Sequence, residues 1–204
     1  MVRDGIPFVL IPLVLAIVPL VFGYWPVSIG FVALAAFMAF FFRDPNRTVP
    51  RDPDLVLAPA DGLITLVARG EDGLSSESLV SIFLSPLDVH VNRSPIGGEI
   101  TDITYTSGKF LMATSARARL LNEQNTLTIR GDGLTVKCTQ IAGILARRIV
   151  CWKQAGEKVE CGERFGMIKF GSRTDLLMPA NVEIMVREGM RVRGGETIIG
   201  KVKR

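Results

Sequence analysis

The chain changes character at residue 43. No charged residue interrupts positions 5–42, and most side chains there are apolar. Such a stretch is too long for the apolar region of a signal peptide, and no small-residue cleavage site ends it. The segment "GYWPV" (23–27) divides it with a glycine and a proline, both helix breakers, and with two aromatics suited to a membrane–water interface. Two arms remain, 6–22 and 27–42, each near the lower length limit for a bilayer crossing. The pattern predicts a membrane-associated helical hairpin over 1–42, its first arm bent by Pro12 and Pro19. A shallow re-entrant hairpin is the competing reading. Arg3 precedes the hairpin, Arg43, Arg47 and Arg51 follow it, and the connecting turn is uncharged. That bias predicts both ends in the cytoplasm, with the remaining domain on the cytoplasmic face of the cell (inner) membrane. "RDPNRTVPRDPD" (43–54) reads as a polar, proline-rich linker.

After residue 54 the period shortens to that of strands. Runs of β type recur between glycine-rich turns: "GLITLVA" (62–68), "LVSIFL" (79–84), "EITDITYT" (99–106), "LTIRG" (127–131), "LTVKCTQIAG" (134–143), "RRIVCW" (147–152), "VEIMV" (182–186) and "TIIGKV" (197–202). Their spacing predicts a mainly β domain over 55–204, a barrel or sandwich. "SARARLLNEQN" (115–125) suits one short helix or a loop. An internal repeat is also visible. Gly156, Val159, Gly162 and Glu163 match Gly189, Val192, Gly195 and Glu196 at one constant offset. The two copies suggest paired lipoyl-like hairpins, although neither carries a lysine in a carrier-type tip.

Composition adds limits. With 204 residues, 48% of them hydrophobic, one soluble domain and the apolar segment account for the chain. The net charge of +4, with Lys201, Lys203 and Arg204 together at the end, suits an anionic membrane surface. No nucleic-acid motif or interleaved aromatics accompany it, so no nucleic-acid partner is expected. Three cysteines without a Cys-x-x-Cys, and a single histidine, supply too few ligands for a metal site. The cysteines read as reduced thiols of a cytosolic domain.

The candidate chemistry centres on "FGSRTDLLMP" (170–179), a strand-like segment holding the only Gly-Ser pair of the chain. Gly171 permits a strained backbone and close approach. The Ser172 hydroxyl can attack the carbonyl before it and turn an amide into an ester. Elimination then leaves a dehydroalanine, which hydrolyses to a pyruvoyl group at a new N-terminus. Such a ketone-like group can form a Schiff base with an amine and act as an electron sink. The plain alternative is a glycine bulge beside a polar strand residue. Asp61 lies in "APADG" (58–62), where it can also serve as a turn cap. Asp88 and His90 lie two apart in "LSPLDVHVNRSP" (84–95), so in a strand they share a face. As the sole histidine, His90 carries any imidazole chemistry.

The hairpin, "PADG", "SPLDVHVNRSP", "SGKFLMA", "NEQN", "IAGILARRIVCW" and "FGSRTDLLMP" together resemble the phosphatidylserine decarboxylases, in particular their short prokaryotic proenzyme form. The resemblance covers nearly the whole chain. It implies self-cleavage at Gly171–Ser172 into a β chain (1–171) and an α chain (172–204), with Ser172 becoming the covalent pyruvoyl cofactor. It implies that Asp61 assists self-cleavage and that His90 serves decarboxylation of a phospholipid substrate. Larger members have a second histidine where this chain has Arg93, so the base that activates Ser172 stays open between His90 and Asp61. Arg93 is then a candidate for stabilising the oxyanion. Asp88, Arg93, Lys109, Phe110 and Arg173 are candidate substrate-binding residues, as are Arg147 and Arg148. Exposed β edges and the family's habit favour a homodimer. Two rival functions are decarboxylation of another aminophospholipid such as archaetidylserine, and a non-enzymatic membrane-anchored adaptor.

Overall fold

The computed structural model describes residues 1–70, 77–113, 115, 117–144, 148–169 and 171–203. The chain forms two compact units, Met1–Asn46 and Arg47–Arg204.

In the first unit a 3-10 turn, Arg3–Gly5, leads into α1 (Ile6–Val21), and α2 (Trp25–Phe41) follows. Helix α1 runs through Pro12 and Pro19. Gly23, at φ +80°, makes the turn. Pro26 falls in the first turn of α2, where its missing N–H costs nothing, so it starts a helix rather than breaking one. Ser28 Oγ donates to Ala16 O at 2.8 Å across the pair. Val2 N–H donates to Phe42 O at 3.1 Å and closes the open end. The run Arg3–Val21 is long and apolar enough to cross a membrane, and α2 is shorter.

The second unit is mainly β. Its strands are β1 (Leu55–Leu57), β2 (Gly62–Ala68), β3 (Glu77–Leu84), β4 (Val91–Arg93), β5 (Gly98–Thr106), β6 (Gln124–Arg130), β7 (Thr135–Ile141) and β8 (Ile149–Cys151). They continue with β9 (Lys158–Val159), β10 (Arg164–Ile168), β11 (Ser172–Pro179), β12 (Val182–Ile184), β13 (Arg191–Val192) and β14 (Ile198–Val202). One short helix, α3 (Ala118–Leu121), precedes β6. Eight strands make a curled sheet in the order β13-β2-β3-β11-β7-β6-β5-β9. Two three-stranded sheets, β1-β14-β12 and β4-β10-β8, accompany it.

Strand alternation explains the core. In β11, Leu176 and Met178 point inward with Val80, Ile82 and Cys138 of the flanking strands, and all are fully buried. Burial pushes the Cys138 thiol far up and the Cys161 thiol to about 11, so both stay protonated, unreactive packing groups.

The sequence repeat is a repeat of backbone. Gly156 and Gly189 have φ +89° and +82°, and Gly162 and Gly195 have +75° and +76°. Gly162 N–H bonds Ser94 O, and Gly195 N–H bonds Ala58 O, each at 2.8 Å. The repeat therefore extends to "APADGLI" (58–64) and "SPIGGEI" (94–100), which receive the two hairpins in the same way. Residues read as linker are partly taken into this unit. Arg47 NH2 pairs with Asp61, and Thr48 N–H donates to Glu196 at 3.0 Å.

Candidate active site

Ser172 is the first residue of β11, opposite Leu84 of β3. The chain enters it through Gly171, whose φ of +69° lies in the left-handed region that favours glycine and costs other residues roughly 1–2 kcal/mol. Ser172 is fully buried, and its Oγ has no hydrogen-bond partner among the described residues. Leaving a buried hydroxyl unmatched costs about 1–3 kcal/mol. The neighbouring inward position is treated differently. Thr174 Oγ1 accepts from Asn92 Nδ2 at 3.1 Å, Asn92 Oδ1 accepts from Gln140 Nε2 at 2.9 Å, and Gln140 Oε1 accepts from Asn125 Nδ2 at 3.1 Å. The hydroxyl of Thr174, two residues on along the same face, is thus satisfied, whereas that of Ser172 is not.

His90 meets Gly171 directly. Its ring is fully buried, with Nδ1 2.9 Å from Asp88 O and Nε2 3.3 Å from the Gly171 amide nitrogen. A carbonyl can only accept, so the ring proton sits on Nδ1. Nε2 is left as the basic nitrogen and accepts the Gly171 N–H. His90 O also accepts the Ile168 N–H at 3.3 Å, which ties the end of β10 to the same residue.

The Gly171 carbonyl packs on a third element. A Cβ built on Gly143 would overlap the Gly171 carbonyl oxygen and lie 3.2 Å from its carbon, with the Ala113 methyl at 3.4 Å. Buried Asn122 holds this wall together. It donates to Ala142 O at 2.7 Å and exchanges bonds with Leu111 N–H and O, each at 2.9 Å. The arrangement offers a nucleophile without a partner, a base beside the glycine, and a carbonyl held in a slot. Gly143→Ala is expected to slow any reaction at that carbonyl by at least about tenfold, roughly 1.4 kcal/mol of barrier. A time course of freshly synthesised chain on a denaturing gel measures it.

Comparison with known proteins gives this geometry a family. The model of the family described as phosphatidylserine decarboxylase matches residues 34–200. A phosphatidylserine decarboxylase proenzyme of Pelodictyon phaeoclathratiforme is 43% identical over 197 residues, covering 94% of this chain and 93% of the relative. One from Symbiobacterium thermophilum is 44% identical over 204 residues, covering 98% and 94%. One from Gluconobacter oxydans is 48% identical over 178 residues, covering 84% and 79%. The chain belongs to the phosphatidylserine decarboxylase family.

In this phosphatidylserine decarboxylase family member the other sequence candidates have different surroundings. Asp88 and His90 do not share a strand face, because β4 begins only at Val91. The turn before it is closed by Asp88 N–H on Ser85 O at 2.9 Å and by Ser85 N–H on Asp88 Oδ2 at 2.8 Å. Asp88 Oδ1 pairs with Arg191 at 3.0 Å, so it is the main-chain carbonyl of Asp88 that orients the imidazole. Arg93 donates to Gly162 O at 3.0 Å, and its Cδ packs close to Gly195, between the two hairpin tips. Arg173 faces away from the Ser172 side of the strand. It donates to Asp175 at 2.6 and 3.0 Å and to Ser81 Oγ at 2.7 Å. Lys109, Phe110 and Arg148 are exposed. Arg147 lies outside the described residues.

Asp61 accepts two bonds from Arg47 NH2, both at 2.8 Å, and one from Gly194 N–H at 2.8 Å. Gly97 occupies the equivalent place in the repeat, so the hairpin contact does not need a carboxylate. Asp61 instead fastens Arg47, whose side chain is 6% exposed against 16% for Asp61. Asp61→Asn is expected to cost about 3 kcal/mol, the low end for a paired charge left behind in a nearly buried site. At about 2–4 °C per kcal/mol, the midpoint falls by roughly 6–12 °C. Calorimetry measures this, and chain cleavage in the folded fraction separates a fastening role from a catalytic one.

Sequence reasoning did not single out Gly143, Asn122 or the Asn92–Gln140–Asn125 chain. Gly143 and Asn122 lie inside motifs that carry the family resemblance, "IAGILARRIVCW" and "NEQN". Their tasks depend on contacts between distant segments.

Proposed function

We propose that the chain cleaves itself between Gly171 and Ser172, converts Ser172 into a pyruvoyl group, and decarboxylates phosphatidylserine to phosphatidylethanolamine. The observation that carries this reading is the buried, unpartnered Ser172 hydroxyl beside a left-handed glycine whose N–H meets His90 Nε2.

Ser172 Oγ attacks the Gly171 carbonyl carbon. The O–C bond forms, the C–N bond breaks, and the hydroxyl proton ends on the freed amine. Removal of the Ser172 α-proton then expels the Gly171 carboxylate and leaves a dehydroalanine. Water hydrolyses it, the nitrogen departs as ammonia, and residue 172 keeps a ketone. His90 Nε2, 3.3 Å from Gly171 N, is an imidazole base at the scissile bond, and this placement supports it as the acceptor of the Oγ proton once it releases the Gly171 N–H. The same placement supports His90 over Asp61, whose carboxylate is held by Arg47 at 2.8 Å. Strand β11 supports retention of the cleaved segment, since it pairs with β3 over Ser172–Pro179 and with β7 over Arg173–Leu177.

The pyruvoyl group supplies a carbonyl for the substrate amine and a sink for the electrons released with carbon dioxide. His90 holds and returns the proton at the substrate α-carbon. The apolar helix Arg3–Val21 supports a membrane position, and Arg43 and Arg51 after the hairpin support a cytoplasmic catalytic unit. Tethering keeps site and lipid at high effective concentration. Hydroxylamine, which reacts with ketones, is expected to abolish phosphatidylethanolamine formation from phosphatidylserine vesicles. Full activity after exhaustive treatment would contradict the pyruvoyl reading.

A further inference from the structure

The exposed apolar residues of the second unit are concentrated at one place. Among its described residues, eight large hydrophobic side chains are exposed, and six lie in three segments, two of which meet Gly171 through His90 and Gly143 while the third is tied to Ala142 and Gly143. Leu87 is in the turn that carries His90. Phe110, Met112, Leu120 and Leu121 flank the segment tied together by Asn122, and Ile144 follows Gly143. The other two, Tyr105 and Met185, lie on β5 and just after β12. Leu120 is 80% exposed, Leu87 63% and Met112 61%.

Cations border these side chains. Lys109, Arg117, Arg119 and Arg148 are all exposed within the same segments. Among the acidic groups nearby, Asp88 pairs with Arg191 at 3.0 Å and Asp175 takes up Arg119 at 3.5 Å, while Glu123 keeps its charge beside Tyr105. The two ends of the segment are bonded to each other. Lys109 N–H bonds Leu121 O at 2.6 Å, and Glu123 N–H bonds Lys109 O at 3.0 Å. Protruding leucine and methionine side chains bordered by long basic ones suit an interface of acyl chains below and anionic headgroups above.

We propose that these three segments form a lipid-docking rim by which the catalytic unit itself seats on an anionic phospholipid bilayer, with Gly171 and Ser172 at its centre. The rim acts in addition to the apolar N-terminal helices. It rests on the reading of the site as one that acts on a membrane lipid.

The test places tryptophan at the rim of the full chain, as Leu120→Trp and Leu87→Trp, with Met185→Trp as the distant control. Trp25 and Trp152 of the parent supply the background emission. Each protein is reconstituted in vesicles whose acyl chains are brominated near the carbonyl, since an interfacial apolar face sinks about 5–10 Å. The vesicles are phosphatidylcholine with or without anionic phosphatidylglycerol, and all carry the same small fraction of phosphatidylserine as substrate. The added emission at 120 and 87 is expected to shift to the blue and be quenched, more strongly in the anionic vesicles, while that at 185 is not. A blue shift without quenching would mean burial against protein and would overturn the rim. Quenching at all three positions, or at none, would also overturn it. Equal quenching in both vesicle types would overturn the part given to the cations. Phosphatidylethanolamine formation is measured on the same samples. Quenching without turnover would sink the lipid-substrate reading instead, and turnover without quenching would sink the rim alone.

Discussion

Replacing Ser172 with alanine is expected to leave one uncut chain of 204 residues with no decarboxylase activity. The argument is one of atoms. Without Oγ no ester forms at Gly171, no elimination follows, and residue 172 never becomes a ketone. The whole rate enhancement is lost, at least about 10⁶-fold for a typical enzyme. Stability should not fall with it. The hydroxyl has no partner among the described residues, so its removal relieves a cost of about 1–3 kcal/mol rather than breaking a bond. Ser172→Ala is therefore expected to melt at or above the temperature of the parent precursor. A destabilised variant would mean that the serine is an ordinary packing residue. Gel mobility, product analysis and calorimetry on one preparation decide between these outcomes.

His90→Ala should give the second largest effect. Nε2 is the basic nitrogen beside Gly171, and Arg93 and Asp61 are held by Gly162 and Arg47. We expect self-cleavage to slow by about 10²–10⁴, the usual contribution of a positioned base. Any fraction that matures should turn over more slowly by a similar factor. His90→Ala that cleaved at the parental rate would return the base to Asp61. Asp61→Asn, whose principal effect is expected on the melting temperature, is the matching control.

Much of this could be read from the chain because the signals are local. The absence of charge over 5–42 marks the apolar helices, and alternation marks the long strands. The glycine pairs 156/189 and 162/195 mark the hairpins because each takes a positive φ. Short strands such as β1, β4, β9 and β13 escaped, since two or three residues carry no period. Asp88 and His90 were misplaced on one face because the turn at Ser85–Asp88 delays the strand. The slot at Gly143 and the pairing of Arg47 with Asp61 join residues far apart in sequence, and no local pattern encodes them. Ser172 stood out as a candidate from its Gly-Ser dipeptide alone. Its isolation from every described partner became visible only in three dimensions.

Denaturing mass spectrometry of the purified protein tests the central claim most directly. Two chains are expected, 1–171 and 172–204, the smaller lighter by one ammonia than its sequence and resistant to N-terminal degradation. A single intact chain that still produced phosphatidylethanolamine from phosphatidylserine would contradict the account.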